Sequence, residues 1–130
     1  MTRIATWNVN SLKARLPRVE EWLAYAQPDV LCLQELRAMV GDVDDALHSP
    51  KGYTSRWLSA AKKGYAGVAV LSRARPKRHV DGTGFDHCAD EGRAIRADLH
   101  RLSVVSLYVP SGSSSEERLA IKLEFMEQML

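Results

Sequence analysis

Two short, largely apolar runs flank an amphipathic stretch near the start of the chain. Residues 3–9 predict a buried strand, and residues 30–34 predict another that helices or a second sheet cover on both faces. Between them, apolar residues recur at helical spacing, which predicts a helix over residues 12–26. The sequence Gln27-Pro28-Asp29 ends this helix. Its apolar positions are Leu16, Val19, Trp22, Leu23 and Ala26.

From residue 53 onward the apolar positions follow a period of two instead of a helical period. This alternation predicts a strand over residues 53–59. Further strands are predicted over residues 66–72, 77–80, 94–99 and 102–109. The last two are expected to form a hairpin that turns at His100-Arg101. Residues 42–48 are expected to form one or two helical turns.

The last segment predicts a helix with an apolar stripe. Ser114 and Glu117 match a capping box at its start. No glycine, proline or polar tail follows, so the chain is expected to end within the helix, with its buried face still presented to a partner layer. The stripe consists of Leu119, Leu123, Met126 and Leu130.

These elements together predict an α/β sandwich with most of one mixed β-sheet and flanking helices. A length of 130 residues is enough for one domain with a core, and 45% hydrophobic with 26% charged residues is typical of globular proteins. No repeat, low-complexity segment or linker divides the chain. We therefore expect a single, truncated domain over residues 1–130.

Charge and cysteine content narrow the classes of function only slightly. The net charge of +2 does not indicate a nucleic-acid binder for the chain as a whole. Local basic clusters, such as Lys62 and Lys63, are by themselves typical of solvated surface. Two cysteines, Cys32 and Cys88, indicate neither a disulfide framework nor a zinc site. With no apolar run long enough to span a membrane, we expect a cytoplasmic protein that does not bind membranes.

Oxygen-bearing side chains end the first two predicted strands. Asn8 supplies an amide oxygen and Glu35 a carboxylate. If the two strands are neighbours in the sheet, both groups lie at the same sheet edge. Oxygen ligands of this kind suit Mg²⁺, which keeps several waters and so leaves positions open for a phosphate. The pattern therefore indicates a phosphodiester enzyme.

Five motifs, in order along the chain, resemble the exonuclease III family of AP endonucleases, within the endonuclease/exonuclease/phosphatase superfamily. One such motif would be weak evidence, but five at sensible spacings are specific, and they cover essentially the whole chain. The motifs are Thr6-Trp7-Asn8-Val9-Asn10-Ser11, Leu33-Gln34-Glu35, Gly64 to Arg73, Glu91-Gly92-Arg93 and Ser106 to Gly112.

The resemblance implies the N-terminal half of a four-layer α/β sandwich, with the second half missing. It implies a DNA-repair phosphodiesterase that cleaves double-stranded DNA 5′ to an abasic site and acts on 3′ ends, with Mg²⁺, or alternatively Mn²⁺, as cofactor. Carried over by motif, Asn8 and Glu35 resemble the metal-site pair, and Asn10 and Tyr108 resemble catalytic residues. The phenol of Tyr108 either donates a hydrogen bond to the developing oxyanion or ionises beside the metal. The positions that match DNA-binding residues are Lys13, Arg18, Gly64, Tyr65, Arg93 and Ser111.

The family also has a Gly-Asp-x-Asn motif with the candidate base and a late Asp-His pair, and neither can be placed here. Gly41 to Asp44 and Asp86-His87 are superficially similar, but both lie at the wrong place in the chain. Since hydrolysis needs the metal, the base and charge stabilisation together, we expect the isolated chain to have little or no nuclease activity.

Other interpretations stay open from the sequence. The chain is alternatively a non-catalytic DNA-binding or assembly module, completed by a partner chain or by self-association through the incomplete sandwich face. A further alternative is another branch of the superfamily, acting on phospholipid headgroups, inositol phosphates or RNA tails. Taken singly, Asn8 is typical of a turn former, Tyr108 of a core-edge aromatic and Arg93 of a surface charge at the start of a strand.

Overall fold

The first sheet is mixed and contains four strands. The computed structural model describes residues 1–43, 48, 50–84 and 91–130. In this sheet the spatial order is β1-β2-β4-β3, with β1 parallel to β2 and the other pairs antiparallel. Its strands are β1 (Ile4–Asn8), β2 (Val30–Gln34), β3 (Thr54–Leu58) and β4 (Val68–Ser72). Helix α1 (Leu12–Ala26) connects β1 to β2, with the bounds that the sequence predicts.

The remaining strands form a second sheet, so the predicted mixed sheet contains only the first four strands. This sheet is antiparallel, in the order β5-β6-β7. Its strands are β5 (Arg78–Asp81), β6 (Ala94–Asp98) and β7 (Ser103–Leu107). The predicted hairpin between the last two strands is confirmed, and the amide of Leu99 donates to the carbonyl of Leu102 across its turn (2.8 Å).

Two hydrophobic clusters hold these layers together. One cluster packs α1 against the first sheet and includes Val19, Leu23, Leu31 and Leu33. The other lies between the two sheets and is formed by Val30, Cys32, Val68, Val70, Ile95, Ala97 and Val104. Every residue of β2 and β4 is therefore buried, because a helix or loop covers one face and the second sheet covers the other.

The first strand is an edge strand, and the expectation that it is fully buried is wrong. Ala5 and Trp7 are half-buried and pack against the α1 cluster, whereas Ile4, Thr6 and Asn8 are exposed. On the exposed face, Thr6 exchanges hydrogen bonds with the side chain of Gln34. The amide of Gln34 also donates to the hydroxyl of Ser106 on β7 (3.1 Å), so polar contacts join the two sheets beside the end of β1.

Helix α2 (Glu116–Met129) differs from its prediction in its cap, while its apolar stripe stays uncovered as expected. The cap is Ser115, whose hydroxyl accepts from the amide of Arg118 (3.1 Å), and not Ser114. Phe125 is its buried residue, while Leu119, Leu123 and Met126 are 44%, 58% and 49% exposed. The helix turns Phe125 toward the interior, and its apolar stripe faces outward.

Among the described residues after β2, Val40–Asp42 form a short turn of 3₁₀-helix. Most of the predicted helical turns over residues 42–48 lie outside the described residues. Within the described part of the chain, neither helix has the length and apolar character needed to cross a membrane.

Candidate active site

Backbone hydrogen bonds continue past the ends of the strands and tie several loops into one edge. Glu35 and Arg37 follow β2, Ala66 and Gly67 precede β4, and Arg93 precedes β6. The chain is thus fixed on both sides of Glu35. The bonds run from Ser11 N to Glu35 O (3.0 Å), Arg37 N to Ala66 O (2.8 Å), Gly67 N to Gly92 O (3.1 Å) and Tyr108 N to Arg93 O (2.8 Å).

Backbone strain is concentrated at this same edge. Four residues other than glycine have left-handed conformations on the loops after β1 and β2: Asn10 (φ 41°), Ser11 (φ 88°), Glu35 (φ 57°) and Arg37 (φ 52°). Such conformations cost of order 1 kcal/mol or more each and persist where the surrounding structure fixes them, often at functional sites. The hydrogen bonds between the loops provide that constraint here.

A tight glycine contact completes the frame. Gly92 has a φ of +60°, and a Cβ atom built on it would lie 2.6 Å from the backbone nitrogen of Ala60. Only glycine fits this close approach without displacing backbone. The segment 91–93 is therefore held directly against the end of β3, next to the loops that carry Glu35.

The central contact of the site joins Glu35 and Tyr108. The phenol of Tyr108, directly after β7, donates to Oε1 of Glu35 (2.7 Å). The other carboxylate oxygen of Glu35 forms an ion pair with Arg37 (3.2 Å). The Glu35 side chain is only 13% exposed, so both contacts operate in a partly desolvated setting.

The electrostatics keep Tyr108 protonated at neutral pH. Burial, together with the hydrogen bond to the Glu35 carboxylate, raises the pKa of Tyr108 to about 12, although Arg93 acts in the opposite direction. A protonated phenol is a hydrogen-bond donor. In this arrangement the phenol of Tyr108 acts as the donor to Glu35.

Asn8 lies at the matching end of the neighbouring strand. In the β1–β2 register it pairs with Gln34, the residue before Glu35. Because alternate residues of a strand share a face, Asn8 lies on the same face of β1 as Thr6. The side chain of Thr6 contacts Gln34, and this face lies toward β7. Its Oδ1 accepts from the amide of Asn10 (3.0 Å), so Asn8 also serves as the turn former that its residue type suggests.

This donor set fits a hard divalent cation. The amide oxygen of Asn8 and the carboxylate of Glu35 lie at one sheet edge, and each oxygen retains a second lone pair beyond its present hydrogen bond. Mg²⁺ is commonly held by one or two protein oxygens with several waters. Among the described residues, no group of three His, Cys, Asp or Glu side chains could hold a metal ion, so the fit rests on this mixed pair.

Arg93 is buried, and its interpretation as a surface charge at a strand start is wrong. The residue is 2% exposed. Its Nε donates to Glu91 (2.5 Å), its Nη2 to the hydroxyl of Tyr65 (2.5 Å) and its Nη1 to the carbonyl of Tyr108 (3.2 Å). The guanidinium also lies against the rings of Tyr65 and Tyr108, at 5.4 and 5.1 Å from their centroids.

The other residues predicted to bind DNA are distributed around this edge. Lys13 lines a cleft of about 680 Å³ together with Arg37 and Lys63, next to Glu35. Arg18 lies elsewhere on α1, in a separate cavity with Trp7, Trp22 and Tyr25.

Three further positions were predicted to bind DNA, of which Gly64 and Ser111 are exposed and Tyr65 is half-buried. Gly64 has open space around it and a φ of +75°. Ser111 shares a hydrogen bond with Ser113 (2.9 Å) in the loop before α2. The DNA contacts of Lys13, Arg18, Gly64, Tyr65 and Ser111 stay predictions.

Sequence reasoning missed two arginines at the site. Arg37 lies two residues after Glu35, just past the end of β2, and this position in the sequence could have indicated that it belongs to the site. Arg118 donates to Glu91 (3.1 Å) and to the hydroxyl of Tyr65 (2.9 Å) from α2, and no local pattern could have indicated this contact. The Asp86-His87 pair lies outside the described residues.

The whole chain resembles one family of enzymes. The model of the endonuclease/exonuclease/phosphatase family matches residues 5–130. An exodeoxyribonuclease of Bacillus subtilis is 32% identical over 130 residues, which cover 98% of this chain and 50% of the relative. The DNA repair nuclease APEX1 of Danio rerio is 34% identical over 123 residues, which cover 90% of this chain and 39% of the relative.

A solved structure confirms the fold class. The structure of an AP endonuclease from Archaeoglobus fulgidus superposes with a TM-score of 0.86 at 35% identity, covering 99% of this chain and 49% of that one. The chain thus spans about half the length of the relatives it matches, which agrees with the predicted partial sandwich.

Proposed function

Because the chain belongs to the endonuclease/exonuclease/phosphatase family, we propose that it carries part of the active site of a DNA-repair phosphodiesterase of the exonuclease III type. The proposed substrate is double-stranded DNA at abasic sites or 3′ ends. The names of the relatives, an exodeoxyribonuclease and an AP endonuclease, support this choice over the branches that act on lipids, inositol phosphates or RNA tails.

The hydrogen bond between Tyr108 and Glu35 is the observation that carries the proposal. It brings together residues from two of the family-like motifs, at an edge where four residues have strained backbones. A core-edge tyrosine with a wet tip would not need such a partner. The contact places a protonated donor beside a carboxylate, and a fixed donor of this kind can stabilise negative charge that develops on a phosphate.

Asn8 and Glu35 are the residues that would hold Mg²⁺ or, alternatively, Mn²⁺. When bound, the ion supplies Lewis-acid stabilisation of negative charge on the phosphate. The remaining roles belong to the chain itself. Tyr108 redirects its single O–H donor from Glu35 to a phosphate oxygen when substrate binds. Arg37 balances the charge of Glu35, and the backbone near Asn10 fixes the turn that presents Asn8.

The basic cleft beside Glu35 supplies contacts to the DNA backbone. Its lining among the described residues includes Lys13, Arg37 and Lys63, together with Asp42. Cations that contact phosphates position the duplex without reading its sequence. This arrangement favours recognition of DNA by its backbone, as expected for an enzyme that acts at lesions.

We further propose that the 130-residue chain alone has little or no nuclease activity. Removing a general base commonly reduces a rate by 10² to 10⁴ or more. The Gly-Asp-x-Asn motif that carries the candidate base of the family, and its late Asp-His pair, cannot be placed in this sequence. The active unit then needs additional residues, from a partner or from further chain.

A second candidate function is an assembly module. The outward-facing Leu119, Leu123 and Met126 form an exposed apolar stripe on α2, a typical signature of an interaction surface. Self-association through this stripe, or docking of a partner chain on it, is compatible with the nuclease proposal and is tested separately below.

A fusion tests the proposed function. The chain is joined to the half of the Bacillus subtilis exodeoxyribonuclease that it does not match, and the product is incubated with Mg²⁺ and a duplex that contains one abasic site. The expected result is cleavage by the fusion and none by the isolated chain. Loss of cleavage in a Glu35→Ala fusion, with retention in a Glu20→Ala fusion, assigns the activity to this site. Cleavage that is unaffected by Glu35→Ala would contradict the proposal.

A further inference from the structure

A charged side chain buried beside the active site calls for an explanation. Arg93 is 2% exposed, and moving a guanidinium out of water costs several kcal/mol unless it is paired and hydrogen-bonded. Here Glu91 provides the counter-charge, at 2.5 Å from Nε. A paired charge is thus buried at a position that an apolar side chain could also fill.

The contacts of Arg93 converge on Tyr108. Its Nη1 donates to the carbonyl oxygen of Tyr108 (3.2 Å), its own carbonyl accepts from the amide of Tyr108 (2.8 Å), and its guanidinium lies 5.1 Å from the centroid of the Tyr108 ring. Backbone and ring of the same tyrosine are therefore both fixed by one residue. The planar, multidentate guanidinium is suited to this, whereas the point charge of a lysine is not.

The opposite side of the guanidinium is fixed in turn. Nη2 donates to the hydroxyl of Tyr65 (2.5 Å), and the Tyr65 ring lies 5.4 Å from the Arg93 guanidinium carbon. Arg118 on α2 donates to the same hydroxyl (2.9 Å) and to Glu91 (3.1 Å). The loop before β4, the loop before β6 and helix α2 all meet on this one group.

We propose that Arg93 is a positioning residue that acts from the interior to hold the phenol of Tyr108 in hydrogen-bonding reach of Glu35. Arg93 then contributes to the site through Tyr108, and not by contacting DNA at the surface. The catalytic consequence rests on the function proposed above, but the positioning itself does not. Tyr65, Glu91 and Arg118 serve to fix the guanidinium.

Fluorine NMR of the chain labelled with 3-fluorotyrosine tests the positioning directly. The chain has four tyrosines, and Tyr→Phe variants assign their four resonances. Two of them report on regions away from Arg93: Tyr25 is exposed, and the hydroxyl of Tyr53 donates to the carbonyl of Pro28 (2.7 Å). An unchanged Tyr53 resonance therefore shows that a variant has kept its fold.

The informative variant is Arg93→Lys, which keeps the charge but loses the planar fork. We expect it to shift or broaden the resonances of Tyr65 and Tyr108 while that of Tyr53 stays in place. The control, Arg101→Lys in the exposed β6–β7 turn, is expected to shift none of them. A Tyr108 resonance that does not move in a folded Arg93→Lys chain overturns the proposal.

A milder variant covers the case in which Arg93→Lys does not fold. Glu91→Gln removes the counter-charge of Arg93 but retains a hydrogen-bond acceptor, and we expect it to shift the Tyr108 resonance in the same direction. An unmoved Tyr108 resonance in this variant overturns the proposal equally. These spectra need neither DNA nor Mg²⁺, so they separate a failure of the positioning from a failure of the proposed function.

The salt dependence of DNA binding provides a second readout. If Arg93 contacted a phosphate, Arg93→Lys would keep that charge and Arg93→Met would reduce the slope of log K against log salt by about 1. Positioning from the interior predicts that the slope for an abasic duplex stays the same in both variants. A slope reduced by about one ion in Arg93→Met would assign Arg93 to the DNA surface instead.

Discussion

The phenol of Tyr108 and the carboxylate of Glu35 lie 73 residues apart in the chain and meet at 2.7 Å. Tyr108 follows a strand of the second sheet and Glu35 follows a strand of the first, so the contact spans the sandwich. Because each residue is held by its own set of neighbours, the pair reports on the integrity of the whole site.

Removing the phenol hydroxyl should weaken the fold measurably. Tyr108→Phe removes the hydrogen bond to the charged, partly buried carboxylate of Glu35, and we expect the free energy of unfolding to fall by about 1–2 kcal/mol. Urea denaturation provides the measurement. Tyr25→Phe is the matched control, since Tyr25 is exposed and its change should stay within about 0.5 kcal/mol. Equal effects of the two substitutions would mean that the Tyr108 contact adds nothing.

The close approach at Gly92 predicts a steric effect that can be separated from backbone strain. Gly92→Ala adds a Cβ that meets backbone at 2.6 Å and must also adopt a φ of +60°. Gly52→Ala faces a similar left-handed φ of +85° but has no atom within 4 Å. We expect Gly52→Ala to destabilise by about 1 kcal/mol and Gly92→Ala by clearly more, in thermal or urea unfolding. Similar losses for both would show that segment 91–93 moves aside easily.

Asp98 predicts a specific dependence of stability on pH. A hydrogen bond from Ser103, together with those from Arg78 and Arg96, lowers the pKa of Asp98 to about 2. Since the folded pKa lies below the unfolded value of about 3.9, the stabilisation is present above pH 4 and is lost as the pH falls toward 2. Asp98→Asn should therefore be less stable than the wild type at pH 6 and should lose less stability on acidification.

Ser103→Ala tests the contribution of the Asp98 carboxylate with a smaller change. It removes the largest cause of the lowered pKa while leaving both arginines, so it should give a weaker version of the Asp98→Asn profile. Thermal unfolding between pH 2 and pH 6 measures both variants. If Asp98→Asn loses stability between pH 6 and pH 2 as steeply as the wild type, other carboxylates cause the acid sensitivity.

The exposed stripe of α2 predicts concentration-dependent association. Leu123 is 58% exposed, and Leu119 and Met126 flank it. Sedimentation velocity over a range of concentrations is expected to show self-association that Leu123→Glu abolishes, because a carboxylate at the centre of an apolar interface is strongly unfavourable. Lys122→Glu, a charge change on the same helix, is the control. A chain that is monomeric throughout would argue against the assembly role.

The sequence predicted most elements of the fold because their patterns are local. The helix over 12–26 and the hairpin around His100-Arg101 have strong periodicity and were placed correctly. The division into two sheets could not be predicted in this way. Continuous burial of β2 and β4 requires two covering layers, but it does not say which strands leave the first sheet to provide one.

The candidate site shows the same division between local and long-range information. Motif resemblance indicated Glu35 and Tyr108, and the structure brings them into contact. The burial of Arg93 and the contribution of Arg118 were not predicted, since both depend on how α2 and the loop before β6 pack together. The stripe of α2 lies outward, as expected for a face presented to a partner layer, but amphipathic spacing shows only that a face is apolar, not what covers it.

The central claim is that Asn8 and Glu35 form a divalent-cation site beside Tyr108. Electron paramagnetic resonance of Mn²⁺ tests it most directly, because the signal of the free hydrated ion loses amplitude when the ion binds protein. We predict that the wild-type chain lowers this signal, that excess Mg²⁺ restores it, and that Glu35→Gln and Asn8→Ala each weaken the binding by at least tenfold, while Glu20→Gln does not. Mn²⁺ binding that persists unchanged in Glu35→Gln would contradict the account.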